Sequence, residues 1–439
     1  MVNIVTLPWL LCLVFAACQA AGDAVDGAAP TDATSTDALN IDADGPSYAP
    51  IHVMVYDENV PGQPAVGAQV IASGNGVAPR TYLTSADGTA DVVSPPGATI
   101  TVVQSYSYPP GTPAIAVFAS FAALEPGDVV VAGPRIPRPQ LAGHVSVIVQ
   151  EHPGGRFYTV ISSCPAQGAR DGLVLSLTLY TPCSSMNSAT LVARVKDSNN
   201  ALLGVSVLNG VDLAAAMNGD PISMPPFDVL PVDITATISN VPTMTHGPSW
   251  HARYWLGDEP NMLEQVGDWS TDTGLVQLAT QAYLVGDRTS FYTVMHHEGP
   301  PFSAHHRYGD KLLTEFELDA STLIPGILGA SATTDGIAWT MTELGSEPEL
   351  VIADIRWASV RGTITAPYTG TPFLSFDSLP DEVRPTTSPQ LVQLQQVSVD
   401  GLDYHEVIPK IDQNRDLIGP RNTLPLNLSF WRSAYPSGS

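Results

Sequence analysis

The sequence predicts an all-β protein made of tandem β-sandwich domains behind a disordered N-terminal tether. Apolar and polar residues alternate in many short runs, which is the pattern of half-buried strands. The 439 residues include 39 prolines and 36 glycines, a content that favours turns over long helices. No amphipathic run of helical period extends beyond about ten residues, so packed sheets describe the chain best.

The first segment, residues 1–17, has the pattern of a secretory signal peptide. It is apolar from about residue 4 to residue 17, which is too short to span a bilayer. Its ending at Ala16, Ala17 and Cys18 resembles a bacterial lipobox. The resemblance implies that Cys18 is lipidated as the first residue of the mature chain. An ordinary cleaved signal with an Ala-x-Ala-like site is the alternative, and either signal exports the protein.

The lipobox resemblance also implies a location. A lipidated Cys18 anchors the protein in a membrane of the cell envelope, and the expected partner is therefore that membrane. Gln19, and not Asp, follows the cysteine, which resembles an outer-membrane sorting signal of enteric bacteria. We expect the protein in the outer membrane or at the cell surface of a Gram-negative bacterium.

Residues 18–48 are predicted to form a disordered acidic tether. They are rich in Ala, Asp, Thr, Ser and Gly, and they hold too few large apolar side chains to offset the entropy of ordering. The whole chain has 18 basic and 43 acidic residues and a formal net charge of −25. Such a charge repels phosphate backbones, so the sequence argues against nucleic-acid binding, whereas it attracts divalent cations.

Residues 49–137 predict a first β-sandwich. Alternating runs are separated by turns, and Asp87-Gly88 between two of them is a strong hairpin signal. Residues 64–70, 84–88 and 95–97 follow the pattern Pro-x-x-Gly-Ala-x-Val, Thr-x-x-Asp-Gly and Pro-Pro-Gly. In this order the three motifs resemble a carboxypeptidase-regulatory-like domain. The resemblance implies a small transthyretin-like β-sandwich that serves as a non-catalytic spacer or binding module.

Residues 141–230 predict a second β-rich domain with one disulfide. Of the four cysteines, Cys12 belongs to the signal and Cys18 carries the lipid, which leaves Cys164 and Cys183 as a natural pair. In an oxidising compartment a bridge between them contributes roughly 3 kcal/mol by closing a loop. Two buried free thiols are the alternative. Residues 211–217 predict one helical turn.

Residues 231–439 predict a third β-rich region with strands in the same alternating pattern. Eight alternating segments and an apolar tail at 426–431 are expected to be strands. Its tryptophans are expected to anchor the core more often than to offer exposed stacking surfaces for sugars, since core positions are commoner for Trp in strands. The tryptophans in question are Trp250, Trp255, Trp269, Trp339 and Trp357.

Two histidine pairs on either side of a Gly-Pro-Pro turn are the one concentrated set of candidate ligands. If 296–298 and 305–306 form a hairpin, His297, Glu298 and His305 come within reach of a divalent metal. Pro301 stands where the helical His-Glu-x-x-His motif needs its second histidine, which excludes that protease motif. Solvated histidines at a hairpin tip are the alternative. Apart from this metal, no cofactor is expected.

The sequence therefore favours a lipid-anchored envelope protein with a non-catalytic role in adhesion, scaffolding or contact with a glycan or an envelope protein. It has no Gly-x-Ser-x-Gly elbow, no P-loop and no dinucleotide fingerprint, and we identify no catalytic residue. The alternative is a surface hydrolase with its site after residue 231.

Overall fold

The computed structural model describes residues 48–436 except 75, 108–110, 136–139, 165, 171, 182, 184–186, 244–247, 257–260, 285, 287, 297–301, 309–310, 343–345, 400 and 411–428. The predicted signal peptide, Cys18 and the predicted tether up to residue 47 lie outside the described residues. Within the described part the structure has 28 strands and two four-residue α-helices, which confirms the all-β class. No helix among these residues is both long and apolar enough to cross a membrane.

The first segment of the chain forms two layers of sheet. Its strands are β1 (Ile51–Val55), β2 (Gln69–Gly74), β3 (Val77–Leu83), β4 (Thr89–Val92), β5 (Ala98–Tyr106), β6 (Ile115–Leu124) and β7 (Val129–Ala132). The three-stranded sheet β4-β1-β7 faces β2, β5 and β6, which belong to a longer sheet. Val53, Val70 and Ile100 meet in the core between the layers. This segment is therefore a sandwich, whereas its family resemblance stays a prediction.

The second segment forms a sheet of its own. Its elements are β8 (Leu141–Ile148), β9 (Phe157–Ser162), β10 (Ala166–Arg170), β11 (Val174–Tyr180), β12 (Ala189–Lys196), β13 (Leu202–Val211), α1 (Leu213–Ala216) and β14 (Ile222–Ser223). The strand order is β13-β12-β9-β10-β11-β8-β14. Strands throughout the sheet share one core with Leu213, so the sheet curves around it. The predicted helical turn is α1, which Asp212 caps by accepting a 2.8 Å hydrogen bond from the N–H of Ala215.

The predicted disulfide is present in the core of this sheet. Cys164 and Cys183 are bonded, with their Cα atoms 5.7 Å apart, and both are almost fully buried. Cys164 lies between β9 and β10, and Cys183 follows β11. The bridge therefore holds β10 between its two neighbours in the sheet.

The third segment begins with a further two-layer unit. Its strands are β15 (Val232–Val241), β16 (Pro248–Leu256), β17 (Asn261–Trp269), β18 (Gly274–Ala282), β19 (Arg288–His296), β20 (Phe302–Tyr308) and β21 (Glu315–Asp319). The small sheet β18-β15-β21 covers one face of β16 and β19. Trp250 and Tyr254 of β16 and Phe291 of β19 are buried between the layers, so the two β16 aromatics share one face as their even spacing predicts.

The last elements add a third layer. They are β22 (Ile327–Ala332), β23 (Gly336–Met341), β24 (Leu350–Trp357), β25 (Val360–Pro367), β26 (Phe373–Ser375), β27 (Gln390–Val399), α2 (Tyr404–Val407) and β28 (Ser429–Pro436). The sheet β22-β23-β26 packs over β24, β25 and β27. Strand β28 overlaps the tail that the sequence predicts as a strand.

One twelve-stranded sheet joins the beginning of the described chain to its end. Its order is β17-β16-β19-β20-β28-β27-β24-β25-β6-β5-β2-β3, with β6 and β25 parallel. At about 4.8 Å between strands, it measures roughly 50 Å across. The sheet joins strands of the predicted first and third domains, whose boundaries stay predictions. We call it the long sheet.

The middle of the long sheet is buried on both faces. Leu350 and Ile352 of β24 point into the core of the first sandwich. The alternate residues Val351, Ala353 and Ile355 point into the core below β22-β23-β26. Because successive side chains of a strand point to opposite faces, one strand supplies both cores.

Helix α2 fastens the C-terminal part of the chain to the first sandwich. The hydroxyl of Tyr404 donates to the carbonyl of Ala122 over 2.7 Å, and His405 Nδ1 lies 2.8 Å from Asp128 Oδ2. Burial raises the pKa of the Tyr404 hydroxyl, and the Asp128 charge adds to this shift, so the group stays protonated and able to donate. Asp128 also accepts from the N–H of Glu125 over 2.7 Å.

The strand β3 ends the long sheet at one edge. Its residues Pro79, Arg80, Thr81 and Leu83 are exposed. Tyr82 points inward and packs against the first core. In this edge strand the side chain of Tyr82 therefore points into the core, and the side chains of the other four named residues are exposed to solvent.

Candidate functional site

A shallow groove opens at one end of the first sandwich. It has a volume of about 500 Å³ and lies between the chain that links β1 to β2 and the ends of β5 and β6. Its polar lining comes from Asp57, Asn59, Gln69, Gln104 and Ser105, and apolar or small residues at 65–68, 103 and 114–116 complete it. We call it the polar groove.

Side-chain amides fix the walls of the polar groove. The Gln104 amide donates to the carbonyl of Tyr56 over 2.9 Å, and its oxygen accepts from the N–H of Glu58 over 3.3 Å. Asn59 donates to the carbonyl of Ser105 over 2.9 Å and accepts from the N–H of Ser107 at the same distance. Each amide therefore joins the linking segment to β5 or to the residue just after it, which makes the groove a preformed surface.

The sequence motifs of the first segment shape this groove. Ala65 and Ala68 of the Pro-x-x-Gly-Ala-x-Val run line it, and Thr84 of the second motif holds both. The Thr84 hydroxyl accepts from the N–H of Ala68 over 2.8 Å and donates to the carbonyl of Ala65. Gly88 has a positive φ of 75°, and a Cβ there would lie 2.6 Å from the carbonyl oxygen of Val55. The motif residues are thus needed for the turn geometry beside the groove.

The carboxylate of Asp87 organises the same turn. Hydrogen bonds from the hydroxyls of Ser85 and Thr89 hold the pKa of Asp87 below its usual value of 3.8. The Thr89 hydroxyl donates over 2.7 Å. The fully exposed carboxylate therefore acts as a local hydrogen-bond acceptor of the turn.

A smaller cavity of about 190 Å³ lies beside the same linking segment. Glu58, Tyr106, Phe118 and Arg361 are among its lining residues. Gly362 also lines it, and a Cβ there would overlap the ring of Phe118. The Phe118 ring therefore occupies the space that a side chain at position 362 would take.

The predicted metal site is represented by a single residue in the described part of the chain. His297 and Glu298 lie outside the described residues. His305 is 4% exposed and stacks on Phe316, with 6.1 Å between ring centroids. The expectation of a solvated hairpin tip is wrong for His305, because β20 is an interior strand of the long sheet. The described residues contain no group of three His, Cys, Asp or Glu arranged to hold a metal ion.

Two histidine–aspartate pairs appear in the structure that the sequence did not predict. His52 and Asp91 face each other across β1 and β4, with 2.7 Å between Nδ1 and Oδ1, and both are exposed. The second pair is His405 and Asp128, whose carboxylate is only 10% exposed. A carboxylate that contacts Nδ1 fixes the orientation of the imidazole ring. In both pairs the contact also joins residues that are far apart in the sequence. Strand pairing brings them together, and no local sequence signal marks them.

The tryptophans divide into buried and exposed groups. Trp250, Trp339 and Trp357 are buried, as expected for core anchors, whereas Trp269 is 69% exposed. The side chain of Trp255 lies outside the described residues. Trp269 is thus accessible to a ligand, as the polar groove is.

Comparisons with known proteins give little further information. No family model and no curated protein sequence matches the chain. It is similar to the Bacillus anthracis TIE protein, with 12% identity, 62% of this chain and 50% of that chain covered, and a TM-score of 0.15. It is also similar to the Streptococcal ancillary pilin, with 12% identity, 62% of this chain and 98% of that chain covered, and a TM-score of 0.14. This chain spans about half the length of the first protein, and at these scores neither similarity supports an argument about function.

Proposed function

We propose that this chain is a lipid-anchored cell-envelope protein with a non-catalytic structural and binding role. The lipobox-like ending at Cys18 supports the anchor, and the buried Cys164–Cys183 bridge supports folding in an oxidising compartment. In this proposal the first sandwich is a carboxypeptidase-regulatory-like module that acts as a spacer and contact surface.

The continuity of the long sheet is the observation that carries the structural role. Hydrogen-bonded strands run without interruption from β3 of the first segment to β28 of the third. Strand β24 supplies two cores at once, so the layers on its two faces cannot separate without exposing apolar side chains. Such a body transmits force and holds a contact surface in a fixed position beyond the membrane.

The polar groove is the surface to which we assign contact with a partner. Its walls are fixed by Asn59 and Gln104 before any ligand arrives, which lowers the entropic cost of binding. Its volume of about 500 Å³ is sufficient for a small polar ligand or a short stretch of an extended chain.

Membrane fractionation of the intact protein and of a Cys18→Ala variant tests the anchor. We expect the intact protein in the membrane fraction and the variant in the soluble fraction, since the acylated thiol is the proposed attachment. Cys12→Ala is the matched control, because it removes a cysteine of the same apolar segment and leaves Cys18 in place. Metabolic labelling with a radioactive fatty acid should mark the intact protein and the control alone.

Two outcomes contradict the proposal. Intact protein that remains in the cytosol with an uncleaved N-terminus excludes export. Equal membrane association of intact and Cys18→Ala protein, without fatty-acid label in either, excludes the lipid anchor.

A further inference from the structure

An exposed tryptophan marks the other end of the long sheet. Trp269 is the last residue of β17, and 69% of its surface is open to solvent. A Trp ring offers a large rigid apolar face with little conformational entropy to lose on binding. The ring is therefore well suited to contact a flat apolar face of a ligand.

Strand register places two polar side chains next to this ring. Ser249 of β16 lies directly opposite Trp269, and His251 lies opposite Gly267, two residues away on the same face. In antiparallel pairs, directly opposite Cβ atoms are about 4.5–5.5 Å apart and diagonal neighbours about 7–8 Å. Both side chains are partly exposed. A hydroxyl and an imidazole are thus the cross-strand neighbours of Trp269 on the same face of the sheet.

Gly267 leaves room for the imidazole of His251 next to Trp269. A Cβ at this position would lie 2.3 Å from His251 Nδ1, so the imidazole packs against the glycine backbone. Burial and the charge of Arg253 lower the pKa of His251 from its usual value of 6.5, which favours the neutral imidazole. A neutral imidazole can donate or accept a hydrogen bond without carrying a charge, which suits contact with a hydroxyl group.

The charge of the protein narrows the class of ligand. A net charge of −25 repels anionic polymers, including nucleic acids and acidic polysaccharides. A sugar ring presents C–H bonds on its face and hydroxyls at its edge, which matches an indole flanked by a hydroxyl and an imidazole. These features favour a neutral carbohydrate over an anionic polymer.

We propose that Trp269, Ser249 and His251 form a binding platform for a neutral polysaccharide. Trp269 stacks on the face of a sugar ring, and Ser249 and His251 contact its hydroxyls. The assignment rests on the proposed binding role in the envelope, and it gives that role a ligand class and a second surface, separate from the polar groove.

Affinity electrophoresis of the full-length protein in mild detergent tests the platform. The native gels contain hydroxyethyl cellulose, galactomannan or glycogen as neutral polymers, or carboxymethyl cellulose as an anionic one. We expect retardation by at least one neutral polymer and none by carboxymethyl cellulose. Trp269→Ala should weaken binding to that polymer by about tenfold or more, because the stacking surface is lost. Trp269→Phe should keep part of the retardation, since a smaller aromatic face remains.

Phe373→Ala is the matched control. Phe373 is 46% exposed on β26, outside the platform, so its loss should leave the retardation unchanged. Unretarded wild-type protein in all three neutral gels overturns the proposal, as does full retardation of Trp269→Ala. Membrane fractionation of the same preparation is independent of the gels, so failure of the platform and failure of the proposed anchor are distinguishable.

Discussion

Some glycines in this protein are required because a Cβ would clash with a neighbouring atom, and others only because their backbone has a positive φ. Gly67 and Gly88 both have a positive φ, of 70° and 75°, and both belong to the motifs of the first segment. A Cβ on Gly67 would meet nothing within 4 Å, whereas a Cβ on Gly88 would meet the carbonyl oxygen of Val55. An alanine at Gly67 therefore carries only the free-energy cost of the left-handed backbone, whereas an alanine at Gly88 carries that cost and the cost of a steric clash.

Gly88→Ala should destabilise the protein clearly more than Gly67→Ala. The left-handed conformation alone costs about 1–2 kcal/mol for a residue with a Cβ. At Gly88 the displacement of β1 from its neighbour adds to this cost, for an expected total of about 3 kcal/mol or more. Urea unfolding of both variants measures the difference. Equal losses would show that the contact with Val55 relaxes without cost.

The hydrogen bonds to Asp87 should be visible in its titration. Ser85→Ala removes the largest cause of the lowered pKa, so the pKa of Asp87 should rise toward 3.8. In the intact protein the pKa is lower when folded than when unfolded. Its contribution to stability is therefore complete above pH 3.8 and is lost as the pH falls through the folded value.

NMR titration of the side-chain carboxyl carbons measures this change. Asp319 is the internal control, because bonds from Asn240 and Ser321 lower its pKa independently of Ser85. An unchanged Asp87 titration in Ser85→Ala would mean that Thr89 alone accounts for the shift.

The short helix α2 connects distant parts of the chain through the hydrogen bonds of Tyr404 and His405 to the first sandwich. Asp128→Ala removes a nearly buried acceptor that serves both His405 and the N–H of Glu125. We expect a loss of about 1–3 kcal/mol in the free energy of unfolding, since two donors lose their partner. Asp91→Ala breaks the exposed pair with His52 and should cost less than about 1 kcal/mol. If both variants lose the same stability in urea, the proposed fastening by α2 is wrong.

Elements whose strand-like run lies between turn residues could be predicted from the sequence, whereas the alanine-rich strand β6 and the helix α2 could not. Strand β24 was predicted with its observed bounds, because Leu350–Trp357 is a continuous strand-like run between turn residues. Strand β6 was missed, since its sequence IAVFASFAAL is rich in alanine and lies between two packed layers. The helix α2 was missed as well, although its Asp403 and Glu406 form a capping box.

The candidate site was only partly predictable for a related reason. Its motifs at 64–70 and 84–88 are local, so the sequence identifies them, but the groove also needs Gln104 and Ser105 from β5. The pair of Asp128 and His405 depends on contacts between residues 277 positions apart. The burial of His305 could not be predicted, because its place inside the long sheet depends on the pairing of β20 with the distant strand β28.

At the scale of the whole molecule, the long sheet should make the first and last layers unfold together. Ile352 of β24 faces the first core, and Ile355 faces the core below β22-β23-β26. Replacing either by Ala should cost about 2–5 kcal/mol. Because β24 belongs to both cores, each variant should lower hydrogen-exchange protection on both faces of the long sheet.

Hydrogen exchange followed by mass spectrometry checks this coupling peptide by peptide. Leu177→Ala in the seven-stranded sheet is the control, because its core is built without residues of β24. The control should lower protection in that sheet and leave β5 and β26 unchanged. Loss of protection that stays on one face in the Ile352 and Ile355 variants would contradict a shared cooperative unit.

The exposed edge strand β3 has a consequence for the proposed attachment to a membrane. A long sheet with an open edge is a template to which the edge of another copy can add, and a crowded surface favours such growth into fibres. Pro79 has no N–H to donate, and Arg80 places a charge on the same strand. In the proposed membrane-anchored protein, these two residues make the addition of a second copy at this edge less favourable.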